Sequence, residues 1–504
     1  MNRISHYGLL LFICFIISCS QNEKIPDNII LAEIGDKVIT IQDFIRRAEY
    51  TIRPPYCSQG NYIHKKIILN SLIAEKLTAL EFEKSSISAS ENKNFQAYLT
   101  GRKEQAMRQK YYAEEYYAKT VIPDEEMKNA YALSRRKVRI DYLNLPDLKT
   151  VNKVQKIIME GVTLDSINSI LWGGDVPSRE ITWFDKESDD IHDALFNPDL
   201  KKGQIIGPFS TEDNTFIIMT VSGWTTQPAI TETDQILTWK DVNERLTENK
   251  SRKGYLKWVE GLMSGKSFEL NPEVFDIYAK RASIYYLKSD SEKQKSLNQA
   301  LWETPELLDQ AIFTRSNEPA LDENGILFLY NDKEWTIDKF HALLRAHPLV
   351  FRKKKMGYGE FPGQLKFAIA DVLRDTEVTK ACYRAGYDQD WSIGLNTQMW
   401  EDVNSSLNYL NKIRFREKGE LNQEQWFQMV NPIIDSLQNV YADQIEININ
   451  AFEAIKITAT DMVVSQKGVP YTVMVPSFPI ITTDNRLDYG KNINRKMKEI
   501  LIHE

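Results

Sequence analysis

The sequence predicts a mixed α+β fold, predominantly helical, built on an internal duplication whose first copy carries an inserted α/β module. Three observations carry this expectation. The stretch ILAEIGDKVITIQDF, starting at Ile30, returns 296 residues later as ILFLYNDKEWTIDKF, starting at Ile326, with seven of fifteen positions identical. Strongly helical stretches follow both copies in one register, so that Ile73-Ala74-Glu75-Lys76-Leu77 matches Ile369-Ala370-Asp371-Val372-Leu373. Finally, the first copy exceeds the second by about 120 residues, the size of one small domain with linkers.

The elements follow in order. Arg3 and the apolar run Tyr7 to Ile17, too short to span a bilayer, read as a signal segment. It ends in Ile16-Ile17-Ser18-Cys19, which resembles a bacterial lipobox with Cys19 as the lipidated residue. The alternative is an ordinary signal peptide; the polar stretch Ser20 to Lys24 favours lipidation. Several acyl chains on one cysteine hold a membrane stably where a single chain does not.

Each repeat then opens as a hairpin. Gly35-Asp36 and Asn331-Asp332 are residue types that tolerate positive φ, and suit a tight turn. Thr40 and Thr336 stand as helix N-caps, with Asp43 and Asp338 in the first turn. Phe44 and Phe340 begin the apolar helix faces. A third match, SFELNPEVFDIY at Ser267 and DQIEININAFEAI at Asp443, predicts a short strand and a helix start that close each copy. On this reading the first copy runs from Ile30 to Tyr278 and the second from Ile326 to Ile455.

Inside the first copy, VIPDEEMKNAYALSRRKVRIDYLNL (Val121 to Leu145) is followed by a helical stretch, Lys153 to Ile170. Gly173-Gly174-Asp175, ITWF at Ile181, IHDALF at Ile191, KKGQIIGPF at Lys201 and TFIIMTV at Thr215 come next. In order and spacing this series resembles a parvulin-type peptidyl-prolyl isomerase domain of SurA- and PrsA-like folding factors. The resemblance implies a helical chaperone cradle, closed by a returning helix through Trp239 to Met263, that carries a small β-sheet module and holds unfolded chains outside the cytoplasm.

Rotation about an X–Pro bond crosses a barrier of about 18–20 kcal/mol without any covalent step. Parvulins lower it with two buried histidines and an apolar grip on the proline ring. Here the resemblance places Tyr142 and Phe216 at the two histidine positions and Ile191 at the pocket phenylalanine. The pocket methionine falls in the shortened stretch Ser188-Asp189-Asp190, where carboxylates are costly to desolvate against a proline ring. His192 reads as a half-exposed helix residue. No residue is therefore assigned to catalysis; Tyr142, Phe184, Ile191, Phe196 and Phe216 are expected to touch a bound peptide.

The expected layout is a signal peptide over 1–18, a SurA-like segment over 19–134 and the parvulin-like module over 135–225. The returning helix and closing strand of the first chaperone unit fill 226–285, a second unit without the insert fills 320–460, and a strap and tail fill 461–504. The expected function is a chaperone anchored to a lipid membrane through Cys19, facing the periplasm and placed at the outer membrane, whose partners are unfolded or nascent envelope proteins. The alternatives are an active isomerase and a scaffold subunit of a fixed envelope complex.

Other features weigh less. Tyr111, Tyr112, Tyr116 and Tyr117 could grip clients but read first as packing residues. Phe351 to Met356 reads as a solvated loop flank, and Gly357 to Gly363 lacks phosphate-loop spacing. Val469 to Ile481 is read as a strap over the second unit in preference to a β-augmenting arm. Cys57 and Cys382 could pair or remain free. With 70 acidic against 63 basic residues the chain is not built for nucleic acid, and no spacing suggests a metal or a cofactor.

Overall fold

Each copy of the repeat folds into a strand, a tight turn, a second strand and a capped helix. Ile30–Ile34 pairs with Lys37–Thr40, and Ile326–Tyr330 pairs with Lys333–Thr336, both antiparallel. A bulge falls at the same place in each, between Ile30 and Ala32 and between Ile326 and Phe328. Gly35 turns at φ +61°, while Asn331 and Asp332 both take positive φ, +50° and +60°. That second pattern matches the twist of the strands it joins. Thr40 closes a capping box with Asp43 over helix Ile41–Glu49, and the Thr336 hydroxyl accepts from the Lys339 amide over helix Ile337–Ala346.

In this computed structural model the described residues are 29–84, 93–211, 215–228, 231–287, 322–353, 355–414, 422–457 and 469–492. The signal segment, Cys19 and the C-terminal tail beyond 492 lie outside them. The fold is α+β and predominantly helical, with three antiparallel-based sheets among the described residues. No helix described is long and apolar enough to cross a membrane.

The closing strands correct the expected domain plan. Ile445–Ile447 pairs with the first hairpin, setting Ile34 opposite Ile445 and Ala32 opposite Ile447. Phe268–Leu270, expected to close the first copy, instead pairs with the second hairpin, setting Tyr330 opposite Phe268 and Phe328 opposite Leu270. The copies have exchanged their third strands in an identical register. Equivalent backbone bonds accompany each exchange: Gly35 N–H to Gln444 O and Asn331 N–H to Ser267 O, both 3.0 Å. Asn448 and Asn271 then cap the helices that follow, Ile449–Ala454 and Pro272–Tyr286. Exchange is inexpensive because the same contacts form either way.

The exchange agrees with a division into two units. The first comprises the described parts of Met1–Ile87, Asp402–Val464 and Met474–Glu504. Its core packs the first hairpin, helix Tyr62–Lys84 and helix Gln423–Val440 around Phe44, Ile73, Leu77, Val430 and Phe452. The second comprises Ser88–Glu401 and Ser465–Val473. It holds the second hairpin, packed through Phe328, Phe340 and Ile369 against helices Pro272–Tyr286 and Phe361–Arg384. Gly101, on helix Lys93–Tyr112, lies so close to the Ala346 carbonyl oxygen that a Cβ would meet it at 1.8 Å. No larger residue fits that crossing.

The insert also belongs to the second unit. Its four strands, Arg136–Leu145, Ser178–Thr182, Ile205–Ser210 and Phe216–Thr226, form one antiparallel sheet in the order second, first, fourth, third. Helices Leu148–Met159 and Leu164–Leu171 cover one face through Leu143, Leu145, Val154 and Ile218. The other face packs Val138, Ile140, Met219 and Val221 against Trp183, Leu195 and Phe196, with Met127 and Val242 brought from the flanking helices Asp124–Ser134 and Glu232–Met263.

Candidate functional site

The residues expected to form the peptide pocket of the module are not brought together. Tyr142 stands opposite Met219, and Leu145 stands opposite Phe216. Because strand side chains alternate, Tyr142 points to the face of Met219 while Phe216 packs on the other face with Ile218. Ile191 and Phe196 are buried in the core, each 6% exposed, and Phe184 faces water at 52%. Tyr142 lies under the Arg179 guanidinium, 5.5 Å from ring centre to Cζ. The sheet face that would hold a proline ring is filled by the protein's own side chains.

His192 departs from the expected half-exposed position. It is 3% exposed, edge-on to Trp183 at 4.4 Å and against Phe196 at 4.7 Å. Its Nε2 lies 3.2 Å from the Trp183 carbonyl oxygen, so a neutral ring protonated there donates to it. Burial pushes the imidazole down to about 4, and the Arg245 guanidinium adds to the same effect. It is a core histidine. The neighbouring carboxylates serve the architecture: Asp189 pairs with Arg252, and Asp193 with Lys253, tying helix Asp189–Leu195 to helix Glu232–Met263.

The tyrosines from 111 to 117 lead into a π-helical turn, Ala113–Tyr117. Tyr111 lies 5.0 Å from Trp258 and 5.5 Å from Tyr387, and Tyr112 and Tyr116 pack on Tyr255 at 5.1 and 5.3 Å. They act as packing residues joining three segments of the second unit. Burial pushes the phenol of Tyr255 up to about 12. Cys57 and Cys382 are free, buried thiols, each raised by burial to about 11, which keeps them protonated and unreactive. The basic flank is paired: Arg352 forks onto Asp371 at 2.8 and 2.9 Å, and Lys353 meets Glu360 at 2.7 Å. No cluster suited to a metal occurs among the described residues.

The arrangement with the clearest binding chemistry lies in the first unit, where the C-terminal strap crosses it. From Met474 to Leu487 the strap forms neither helix nor strand. Side chains of the unit serve its carbonyls instead: Arg47 donates to Ser477 O at 2.8 Å, Trp426 Nε1 to Ile480 O at 3.0 Å, and Asn70 to Asp484 O at 2.8 Å. Phe478 and Ile481 are sunk into the core, 5% and 2% exposed. Beyond Gly490, whose Cβ would come within 2.8 Å of Ile445, the strap ends as strand Lys491–Asn492 beside Glu446 and Ile447. An open groove of about 620 Å³ continues alongside, lined by Tyr56, Phe427, Asn431, Pro432 and Thr483 among others.

Buried charge holds the donors in place. Arg47 forks onto Glu75 at 3.0 and 2.8 Å, so its guanidinium is held by an ion pair that does not involve the strap. The Asn70 Oδ1 accepts from Gln438 at 2.8 Å and Tyr489 at 2.6 Å, which orients the Nδ2 that donates to the strap. Nearby, Asp402 is fully buried between Lys37 and Lys76, each 2.6 Å away. Burial alone would raise its carboxyl, but the two ammonium groups outweigh that and hold it below the usual carboxylate range. Removing one member of such a group leaves a buried charge uncompensated, at a cost of about 3–5 kcal/mol.

No protein-family model matches this chain, and no curated protein matches it. The strap is expected over the second copy alone, whereas Arg47 and Asn70, which hold it, belong to the first copy and only Trp426 to the second. Arg47, Asn70 and Trp426 are polar or amphipathic residues on otherwise apolar helix faces, and that pattern was the available signal.

Proposed function

We propose that the chain is an extracytoplasmic chaperone of the SurA-like kind, tethered by lipid at Cys19 to the outer membrane and facing the periplasm. It holds unfolded envelope or secreted proteins, and its parvulin-like module has lost isomerase chemistry. The observation that carries the reading is the filled sheet face of the module. A barrier of about 18–20 kcal/mol falls only where polar groups fit the twisted amide better than the planar one. The single imidazole is committed to the Trp183 carbonyl inside the core.

The sheet order and the two helices between its first and second strands agree with a parvulin-like ancestry. Exposed apolar side chains at Ile170, Leu171 and Trp172 give the module a surface that suits binding, at 78%, 46% and 53% exposure. The side-chain hydrogen bonds to the strap's carbonyls suit a protein that handles chains of many sequences.

Two assays on one preparation test this. The full chain is expected to suppress aggregation of a chemically unfolded protein while leaving a proline-limited refolding phase, tens of seconds long, unchanged. Acceleration of that phase, abolished by Tyr142→Ala or Ile191→Ala, would establish an isomerase instead. Purification with one stoichiometric partner and no holding activity would establish a scaffold.

A further inference from the structure

We propose that the groove under the C-terminal strap is itself a receptor for extended client segments, and that the strap is its resident competitor. This rests on the chaperone reading above and assigns that activity a place. Three of the contacts are general, although Thr482, Arg486 and Tyr489 add side-chain bonds of the strap's own to Asn431, Asp435 and Asn70. Arg47, Trp426 and Asn70 donate to backbone carbonyls, which every polypeptide presents. Pro476 and Pro479 lack an N–H, so this stretch needs few acceptors in return.

What the groove reads in side chains is an aromatic at one position and an aliphatic three residues on, Phe478 and Ile481. Between them Ile480 is 47% exposed, so that position is free to vary, while Pro479 is half-buried. The occupant is therefore an unfolded segment, apolar and extended, with a large ring followed by a branched side chain. Such segments abound in chains that have not yet buried their cores. The open groove beside Thr483, lined by Tyr56, Phe427, Asn431 and Pro432, offers a client surface that the strap leaves uncovered. A client that gains this extra contact can displace a strap bound through the shared part, and the strap returns when the client leaves.

The test uses the full chain carrying Ile481→Cys, with the buried Cys57 and Cys382 as internal controls. Maleimide labelling of position 481 is followed while reduced, carboxymethylated α-lactalbumin is added, and client binding is read in parallel by fluorescence anisotropy. Labelling at 481 is expected to accelerate several-fold as the client saturates, with both native thiols unchanged. A synthetic peptide of residues 474–486 is expected to compete with the client. If the client binds while labelling at 481 stays constant, the inference falls and the chaperone reading stands. If no client binds at any concentration, both fall. A second variant, Phe478→Asp with Ile481→Asp, loosens the strap without removing it, and is expected to bind the labelled peptide at least tenfold more tightly than the unaltered chain. Equal binding by a variant that keeps its thermal transition would overturn the proposal.

Discussion

His192 is the one imidazole of the inserted module, and its burial has a consequence that acid titration can read. Its folded pKa of about 4 lies below the ordinary value near 6.5. Between those values the unfolded chain binds the extra proton, so acidification favours unfolding. The destabilisation is absent above pH 6.5, grows as pH falls, and levels off below about 4. After allowance for solvent screening it amounts to about 1–2 kcal/mol. His192→Gln keeps a donor for the Trp183 carbonyl but cannot titrate. Urea unfolding at several pH values should therefore show the wild-type and variant stabilities converging, or crossing, on acidification. Parallel curves would contradict the assignment. Carboxylates such as Glu104 titrate in both proteins and drop out of the comparison. The residue types at the positions the resemblance singled out were legible in the sequence, but the facing of Tyr142 and Phe216 was not. Facing depends on which residues of two strands stand opposite each other, and the bulge between Arg139 and Ile140 shifts that register.

At the scale of elements, the turns, caps and helix starts of both repeats could be read directly. Each is dictated by a local residue type: Thr40 and Thr336 as caps, Asn331-Asp332 as a turn. The partner of each closing strand could not be read. Phe268 and Ile445 carry the same local instruction, so either hairpin accepts either strand, and only the path of the whole chain decides. The exchange makes a sharp prediction. Glu33 stands opposite Glu446 on adjacent strands, whereas the unexchanged plan would set it opposite Glu269. The pair Glu33→Cys and Glu446→Cys is expected to form a disulfide under mild oxidation, read as a mobility shift after tryptic digestion. The pair Glu33→Cys and Glu269→Cys is expected not to. The reverse result would restore the plan in which each copy closes on itself.

At the scale of the molecule, the duplication with an insert in one copy was legible because identity and spacing survive in the chain. The two-unit division was not, since it follows from the strand exchange. The insert enters and leaves at one point: the Gln227 amide donates to Arg135 O, and Arg135 Nε donates to Gln227 O, both at 2.9 Å. Its ends can therefore be joined directly, and replacing Arg136 to Thr226 by a short Gly-Ser link asks whether the first unit folds from its own residues. That unit contains a single tryptophan, Trp426, whose indole donates to the strap at Ile480. In a chain labelled with 5-fluorotryptophan, the Trp426 fluorine resonance is expected to keep its shift and linewidth after excision. Met127, Ala130 and Val242 lose the sheet they pack on, so lower solubility is expected alongside. A moved or broadened Trp426 signal would mean that the first unit draws its structure from the module, and that the duplicated halves do not stand as separate binding bodies.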